Sequence, residues 1–296
     1  MDKEDRERYL RAGEIGRDVR EWSKSLIKSG VSVLELADKI EKKIKDSGAG
    51  LAFPVNVCLN DITAHYAPKF NDETVIEKDD VVTVDLGAHI DGFISDTAYT
   101  IDLSGEHKDL LKVNQEALEK AIEMVAPGVS VSDIGAAVQK TITDAGFKPI
   151  ENLTGHEIKK YDLHAGLSVP NIRVPYDWRI TEGMVLAIEP FATDGVGRVG
   201  ESQHAEIYSL LEEKPVRMRE ARILLRELSA RRKLPFAKRW FTEKINPMRL
   251  ELVLRKMVSS GVLKKHPVLH ENGGGFVSQF EHTMIVSSDG CEVTTL

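Results

Sequence analysis

Two aspartates eleven residues apart, Asp85 and Asp96, lie in VVTVDLGAHIDGFISDTAYTI, a stretch rich in Val, Ile, Thr and aromatic residues. Asp91-Gly92 near its middle is a turn signal, so the segment predicts a β-hairpin. Centring the turn between Ile90 and Asp91 sets Asp85 directly opposite Asp96, with Cα atoms about 4.5–5.5 Å apart. Two carboxylates that close, among apolar strand residues, repel and lose hydration unless a cation or a proton lies between them. A slipped register would instead leave one of them in solvent.

Three further groups join the pair. His156 lies in TGHEIKKYDLHAG, with His164 eight residues on; a zincin helix is excluded because position 160 is lysine. Glu189 stands in LAIEPF, where Pro190 limits further ladder pairing. Glu281 stands in SQFEHT and shares an alternation face with Gln279 and Thr283. Each alone is an ordinary polar residue at a strand end. Together, two Asp, two Glu and one His suit two divalent ions held by bridging carboxylates, with a hydroxide between them as a nucleophile at neutral pH. So oxygen-rich a set favours Mn²⁺, Fe²⁺ or Co²⁺ over a structural zinc site, with Zn²⁺ left open.

The elements that must position these groups repeat. Gly30-Val31-Ser32-Val33 opens a helical stretch ending near Asp46-Ser47-Gly48, and 98 residues later Gly128-Val129-Ser130-Val131 opens another ending at Asp144-Ala145-Gly146. In both, a serine can cap the helix and a glycine can close it. Val81-Val82-Thr83-Val84-Asp85 also resembles Val185-Leu186-Ala187-Ile188-Glu189, each an apolar strand closing on a carboxylate. Duplicated halves would bring those two carboxylates to matching places across a pseudo-two-fold axis.

Between Phe191 and Phe276 the pattern changes. Met218, Ala221, Leu225 and Leu228 follow helical spacing, as do Leu250, Val253, Leu254 and Met257, the latter behind an Asn246-Pro247 start. A short apolar-basic segment, LPFAKRWF, lies between them. Gly261-Val262-Leu263 and Gly273-Gly274-Gly275 bracket an expected hairpin, so the whole reads as a winged-helix-like insertion. The expected division is a catalytic body over 1–192 and 273–296 with the insertion over 193–272. The chain carries net charge −7, but Lys214 to Lys265 alone carries +12, leaving −19 on the rest. A basic module is set into an acidic body.

Length and composition, 296 residues at 42% hydrophobic, allow a full core. No apolar run reaches the roughly 18–20 residues of a membrane span, and the charged N-terminus reads as an amphipathic helix without a signal core. Cys58 and Cys291 form no CxxC pattern and read as buried free thiols of a reducing compartment. His89 and His107 fall near polar turns and are expected to be exposed. His282 alternates away from Glu281, His270 has no assigned role, and Asp91 is a turn residue. Gly273–Gly275 lacks the strand-helix context and lysine of a phosphate loop.

VDLGAHIDGFISDTA, GHEIKKYDLHAG, AIEPFAT and QFEHTMIV, in that order, resemble the metal-site segments of the type 2 methionine aminopeptidases. Upstream, LAFPVNVCLNDITAHYAP resembles that family's segment with a substrate-facing histidine, here His65. The resemblance covers almost the whole chain, the 92 residues from Glu189 to Glu281 match the type 2 spacing, and the start directly at the catalytic body looks archaeal. It implies a mixed α/β (α+β) pita-bread fold of pseudo-two-fold halves around two divalent ions. The implied ligands are Asp85, Asp96, His156, Glu189 and Glu281, with Asp96 and Glu281 bridging. The implied reaction is hydrolytic removal of an initiator methionine before a small second residue, by attack of a metal-bridging hydroxide. Glu189 would also shuttle the proton, His164 would hydrogen-bond the developing oxyanion, and His65 would contact the scissile amide. Phe53, Leu163 and His204 would line the methionine pocket, and His266 stands where many relatives have tyrosine.

The implied partners are nascent polypeptide N-termini, with no membrane and no DNA, for a cytoplasmic monomer. An Xaa-Pro peptidase or prolidase on the same fold is one rival, although those usually carry a large N-terminal domain. A non-enzymatic pita-bread RNA or ribosome adaptor is the other, although such relatives lose metal ligands. The basic insertion could contact ribosomal RNA through charges such as Arg231, Arg232 and Lys233, or it could serve to shape the substrate pocket.

Overall fold

The computed structural model describes all 296 residues. Helix α1 (Lys3–Lys24) starts where Asp2 accepts the Asp5 N–H, and it carries Glu4 and Asp5 at its positive end and Lys24 at its negative end. It buries Tyr9, Ile15 and Val19 against the aspartate hairpin. Gly16 makes that approach close, since a Cβ there would lie 2.9 Å from Ser95 Oγ, and Gly13 does the same toward the C-terminus, 2.2 Å from the Thr294 carbonyl oxygen.

The repeat is visible in three dimensions. Helices α2 (Val33–Asp46) and α4 (Val131–Asp144) have equal length and are capped by Ser32 and Ser130. Between them α3 (Lys108–Glu123) covers the second half. Gly30 N–H donates to Ile76 O and Gly128 N–H to Ile180 O, both at 2.8 Å. Ile76 and Ile180 are 104 residues apart, as are Asp85 and Glu189, so the second half carries a few extra residues between helix and strand. In the first half, Val81–Ile90 pairs with Phe93–Asp102 on one edge and with Gly50–Leu51 and Asn56–Leu59 on the other. The second half is a five-stranded sheet ordered Cys291–Val293, His282–Val286, Val185–Ile188, Thr154–Ile158, Ser168–Pro170. Each half has its own hydrophobic core, of 18 and 16 buried residues, near-equal as duplicated halves require.

The hairpin register differs from the sequence expectation by two residues. Ile90 faces Phe93, so the turn is Asp91-Gly92 itself, with φ of +51° and +89°. Positive φ at both central residues is the turn whose twist matches that of the strands. Asp96 therefore faces Gly87 and Asp85 faces Ala98. Because side chains alternate with period two, the shift keeps both aspartates on one face but makes them diagonal neighbours.

The insertion has its own core, built on α5 (Arg219–Arg231), a 3₁₀ turn (Lys238–Phe241) and α6 (Pro247–Ser259), the last capped by Asn246. The expected closing hairpin does not form. Leu263–His266 pairs with Ile207–Leu210, whereas Leu269–Glu271 pairs with Val199–Glu201 and with Ile62–Ala64 of the body. The two linking residues are Pro267, with φ fixed near −65°, and β-branched Val268, and neither suits the positive φ of a tight hairpin turn. The strand instead crosses from one sheet to the other.

The glycine run after that crossing wraps a carboxylate. Glu271, 3% exposed, accepts N–H bonds from Val196, Gly197, Gly273 and Gly275 at 2.6–3.1 Å. Burial alone would raise its pKa, but the four donors outweigh it and hold the carboxyl below its usual value. Glu271→Gln, which keeps one acceptor and adds an opposing NH₂, should cost about 2–4 kcal/mol in urea unfolding at pH 7. The depressed pKa stabilises the fold above the ordinary carboxylate range, and that contribution is lost as pH falls through the folded value. The variant's deficit should therefore shrink at acidic pH; a deficit independent of pH would contradict this role.

Three side chains are less exposed or less buried than expected. His89 is half-buried beside Tyr161, its Nδ1 accepting the Gly92 N–H, and His107 stacks on Phe276 with ring centroids 3.9 Å apart. Each ring covers apolar surface that the turn would otherwise leave wet. Cys58 is buried but Cys291 only half-buried, at the start of the edge strand Cys291–Val293. His282 points away from Glu281, its Nδ1 2.8 Å from Thr295 Oγ1, and His270 Nδ1 lies 3.3 Å from Asp61 Oδ2.

Candidate metal centre

The two halves meet where the carboxylates converge. Asp85 and Asp96 come from the hairpin, His156 from Thr154–Ile158, and Glu189 from the strand break at Pro190. Glu281 pairs with Ala98 as an isolated bridge, its N–H donating to Ala98 O at 3.1 Å. Thr283 Oγ1 fixes the same seam, accepting the Asp96 N–H and donating to Asp96 O, both at 2.8 Å. All five groups line one cavity of about 240 Å³. Ligand atoms of Asp96, His156 and Glu281 lie within 4.8 Å of one another, and His156 Nε2 is 3.5 Å from both Asp96 Oδ2 and Glu189 Oε1.

Apart from His156, nothing in this cluster offers a positive charge. Burial, then the neighbouring carboxylates, push Asp85, Glu189 and Glu281 well above their ordinary values. Burial raises Asp96 to about 7, and burial lowers His156 to about 4, keeping its imidazole neutral and its lone pair free. Asp85 Oδ1, Asp96 Oδ1 and Glu281 Oε2 are buried without a hydrogen-bond partner. Unpartnered, mutually repelling carboxylate oxygens facing a neutral imidazole are the donor set a divalent cation satisfies. The residues present fit a metal.

Around them the cavity takes in Phe53, His65, Leu163, His164 and His266. His65 has φ of +63°, and its Nδ1 lies 3.2 Å from Pro267 O. His266 Nε2 is 2.9 Å from Ser209 Oγ, and its ring centroid is 5.8 Å from that of His65. The His164 ring centroid lies 4.3 Å from that of His156. Lost solvation, with His156 and His65 nearby, lowers the His164 pKa, although the residue keeps an exposed face that tempers the effect. His204, expected in the pocket, is not there. Its backbone is held by Ser202 Oγ and by Val268 N–H, and its side chain stays on the exposed outer surface.

Sequence reasoning passed over several lining residues. Asn56 Nδ2 donates to Asp85 Oδ2 at 3.4 Å and Gln279 Nε2 to Glu189 Oε2 at 3.2 Å, orienting two of the carboxylates. The alternation that put Gln279 on the face of Glu281 was a usable signal. Ile207 and Pro235 line the cavity from the insertion, and their apolar types gave no signal.

A carboxylate-rich cluster suited to a metal lies at the seam of two related α/β halves, and the chain belongs to metallopeptidase family M24, whose model matches residues 7–288. Its similarity runs to the methionine aminopeptidases: it is 48% identical to that of Archaeoglobus fulgidus over 100% of both chains. The solved structure of the Thermotoga maritima methionine aminopeptidase has a TM-score of 0.74 at 22% identity, covering 100% of this chain and 98% of that one. Prolidase from Pyrococcus furiosus has a TM-score of 0.66 at 18% identity and is covered over 64% of its length, a likeness of fold. The expected pita-bread fold is the fold of this family.

Proposed function

We propose that the cavity takes the N-terminal methionine of a nascent polypeptide, and that Asp85, Asp96, His156, Glu189 and Glu281 hold two divalent ions beside it. The carrying observation is the convergence of four carboxylates, two buried and two half-buried, and a neutral imidazole on one cavity, with unpartnered oxygens on three of the acids. Bound there, such ions supply an activated water and polarise the methionyl carbonyl. Mn²⁺, Fe²⁺ and Co²⁺ suit the donors, and Zn²⁺ remains open.

The chain's own groups account for the proton movements. Glu189 Oε2 is held by Gln279 while Oε1 faces the cluster, so Oε1 takes the proton of the attacking water and passes it to the leaving amine. Pro267 O can only accept, so His65 Nδ1 carries the hydrogen, and its Nε2 is left as an acceptor for the scissile amide N–H. His164 donates to the oxygen on which negative charge grows. His164→Ala should lower kcat on the order of a hundredfold with a small change in KM. Stopped assays on Met-Ala-Ser would read this, and an unchanged kcat would remove His164 from the mechanism.

Phe53 and Leu163 face the methionine side chain. Nascent N-termini as substrates suit a cytoplasmic protein; no helix of the chain is long and apolar enough to cross a membrane. The pocket-shaping reading of the insertion is better supported than ribosomal RNA contact. Arg231 bonds to the catalytic body, Arg232 lies over Tyr161 and Lys233 pairs with Asp162, so all three engage the body even though Arg232 and Lys233 stay exposed. The deciding experiment is anaerobic hydrolysis of Met-Ala-Ser by metal-free protein titrated with Mn²⁺, Fe²⁺ and Co²⁺. Metal-dependent methionine release is the expected result; release with none of the metals from folded protein would discard the reading.

A further inference from the structure

A helix-terminal arginine of the insertion reaches into the catalytic body. Arg231 closes α5, and its Nη2 donates to two carbonyls at once, Leu51 O at 2.9 Å and Pro235 O at 2.7 Å. The guanidinium lies 5.0 Å over the Trp240 ring, and Trp240 Nε1 in turn donates to Glu41 of the body. No carboxylate touches Arg231, so its charge is met by the two carbonyls and the ring face.

Those carbonyls belong to the two sides of the substrate cavity. Leu51 is paired to Ala88 on the body's sheet, two residues before Phe53, while Pro235 belongs to the insertion; Phe53 and Pro235 both line the cavity. Between Arg231 and Pro235, Leu234 is buried in the cluster that also holds Phe53 and Leu163. Arg232, at φ +55°, and Lys233 extend the attachment to Tyr161 and Asp162, directly before Leu163 and His164.

We propose that Arg231 is a positioning residue that fixes the spacing between Phe53 and Pro235 and thereby sets which N-terminal side chains the cavity accepts. This rests on the aminopeptidase reading of the cavity. The two hydrogens of one Nη2 hold both carbonyls, and the guanidinium plane, packed over Trp240, fixes their directions; a lysine ammonium has enough donors but no plane to fix them. Releasing the bridge lets the insertion's wall move relative to Phe53. Arg231 bonds to none of the clustered carboxylates, so the effect falls on side-chain fit and not on proton transfer.

The test compares wild type, Arg231→Lys and Arg231→Met, loaded with the best metal, on Met-Ala-Ser and Leu-Ala-Ser. We expect KM for Met-Ala-Ser to rise on the order of tenfold in Arg231→Met, kcat to hold within about twofold, and the methionine-to-leucine ratio of kcat/KM to fall by a similar factor. Arg231→Lys, which keeps the charge, should fall between, and it serves alone if Arg231→Met does not fold. An unchanged ratio in a folded variant, or a loss confined to kcat, overturns the proposal. An inactive wild type would instead overturn the aminopeptidase reading itself, so the two failures are distinguishable.

Discussion

Glu281→Gln should melt higher than wild type without metal and lower than wild type with it, while releasing methionine at less than about a thousandth of the wild-type rate. Without metal, Glu281 is a buried carboxyl crowded by Asp96, Glu189 and Asp85. A neutral amide of the same shape removes that crowding, worth about 1–2 kcal/mol, or about 2–3 °C in a chain of this size. With metal the order reverses, because a ligand bound only by the native state adds RT ln(1 + [L]/Kd), about 4 kcal/mol at a thousand times Kd. The variant lacks the charged oxygens that would share the ion and gains less. Calorimetric melts of both proteins, chelated and metal-loaded, read the crossing directly. A variant less stable in both conditions would make Glu281 a structural residue and refute its place among the ligands.

Glu41→Leu should cost about 3–5 kcal/mol, the largest stability loss expected from a single side chain far from the metal centre. Glu41 lies on α2, 3% exposed, and it is the acceptor for Arg239, for Trp240 Nε1 at 2.8 Å and for Val55 N–H at 3.3 Å. Burial raises its pKa while Arg239 opposes the rise. Removing the carboxylate leaves the Arg239 guanidinium, itself 8% exposed, with only the exposed Asp38 carboxylate at 3.4 Å and Pro68 O as partners. The double variant Glu41→Leu, Arg239→Met should recover much of the loss, since an apolar pair of similar volume replaces a buried ion pair at little net cost. Urea unfolding of the four proteins in this cycle measures the coupling. Additive losses would mean that the two residues act independently and that the pair does not dock the insertion.

What was legible in the sequence was local. Each metal-site donor stands in a short block whose residue types carry its chemistry, as His156 does in TGHEI and Glu281 in SQFEH. The matched helices α2 and α4 announced themselves by paired Gly and Ser at one offset, because a cap and a positive-φ glycine are needed wherever such a helix starts and stops. Register was less accessible: Asp91-Gly92 named the turn, yet a shift of two residues leaves every side chain on the same face, so the hydrophobic pattern could not detect it. Partners distant in sequence were invisible. Arg231-Arg232-Lys233 looks like any solvated charge run, and only Leu51 O, 180 residues upstream, reveals that its first member is an interior strut. His204 failed for the opposite reason, since it lies in the loop between Val199–Glu201 and Ile207–Leu210, its N–H held by Ser202 Oγ and its side chain exposed.

The 104-residue step from Asp85 to Glu189 also bears on how such a centre could arise. Each half presents one carboxylate to the seam, Asp85 midway along Val81–Ile90 and Glu189 just past Val185–Ile188, and neither half alone encloses the cavity. A chain of half this length would therefore have had to pair with an identical copy, two equivalent acids meeting across the dyad, to chelate anything. Fusing the copies into one polypeptide freed the equivalent positions to diverge. One half could then keep aspartates on a hairpin while the other acquired His156 and the proline-broken strand after Glu189, giving a symmetric cradle an asymmetric chemistry.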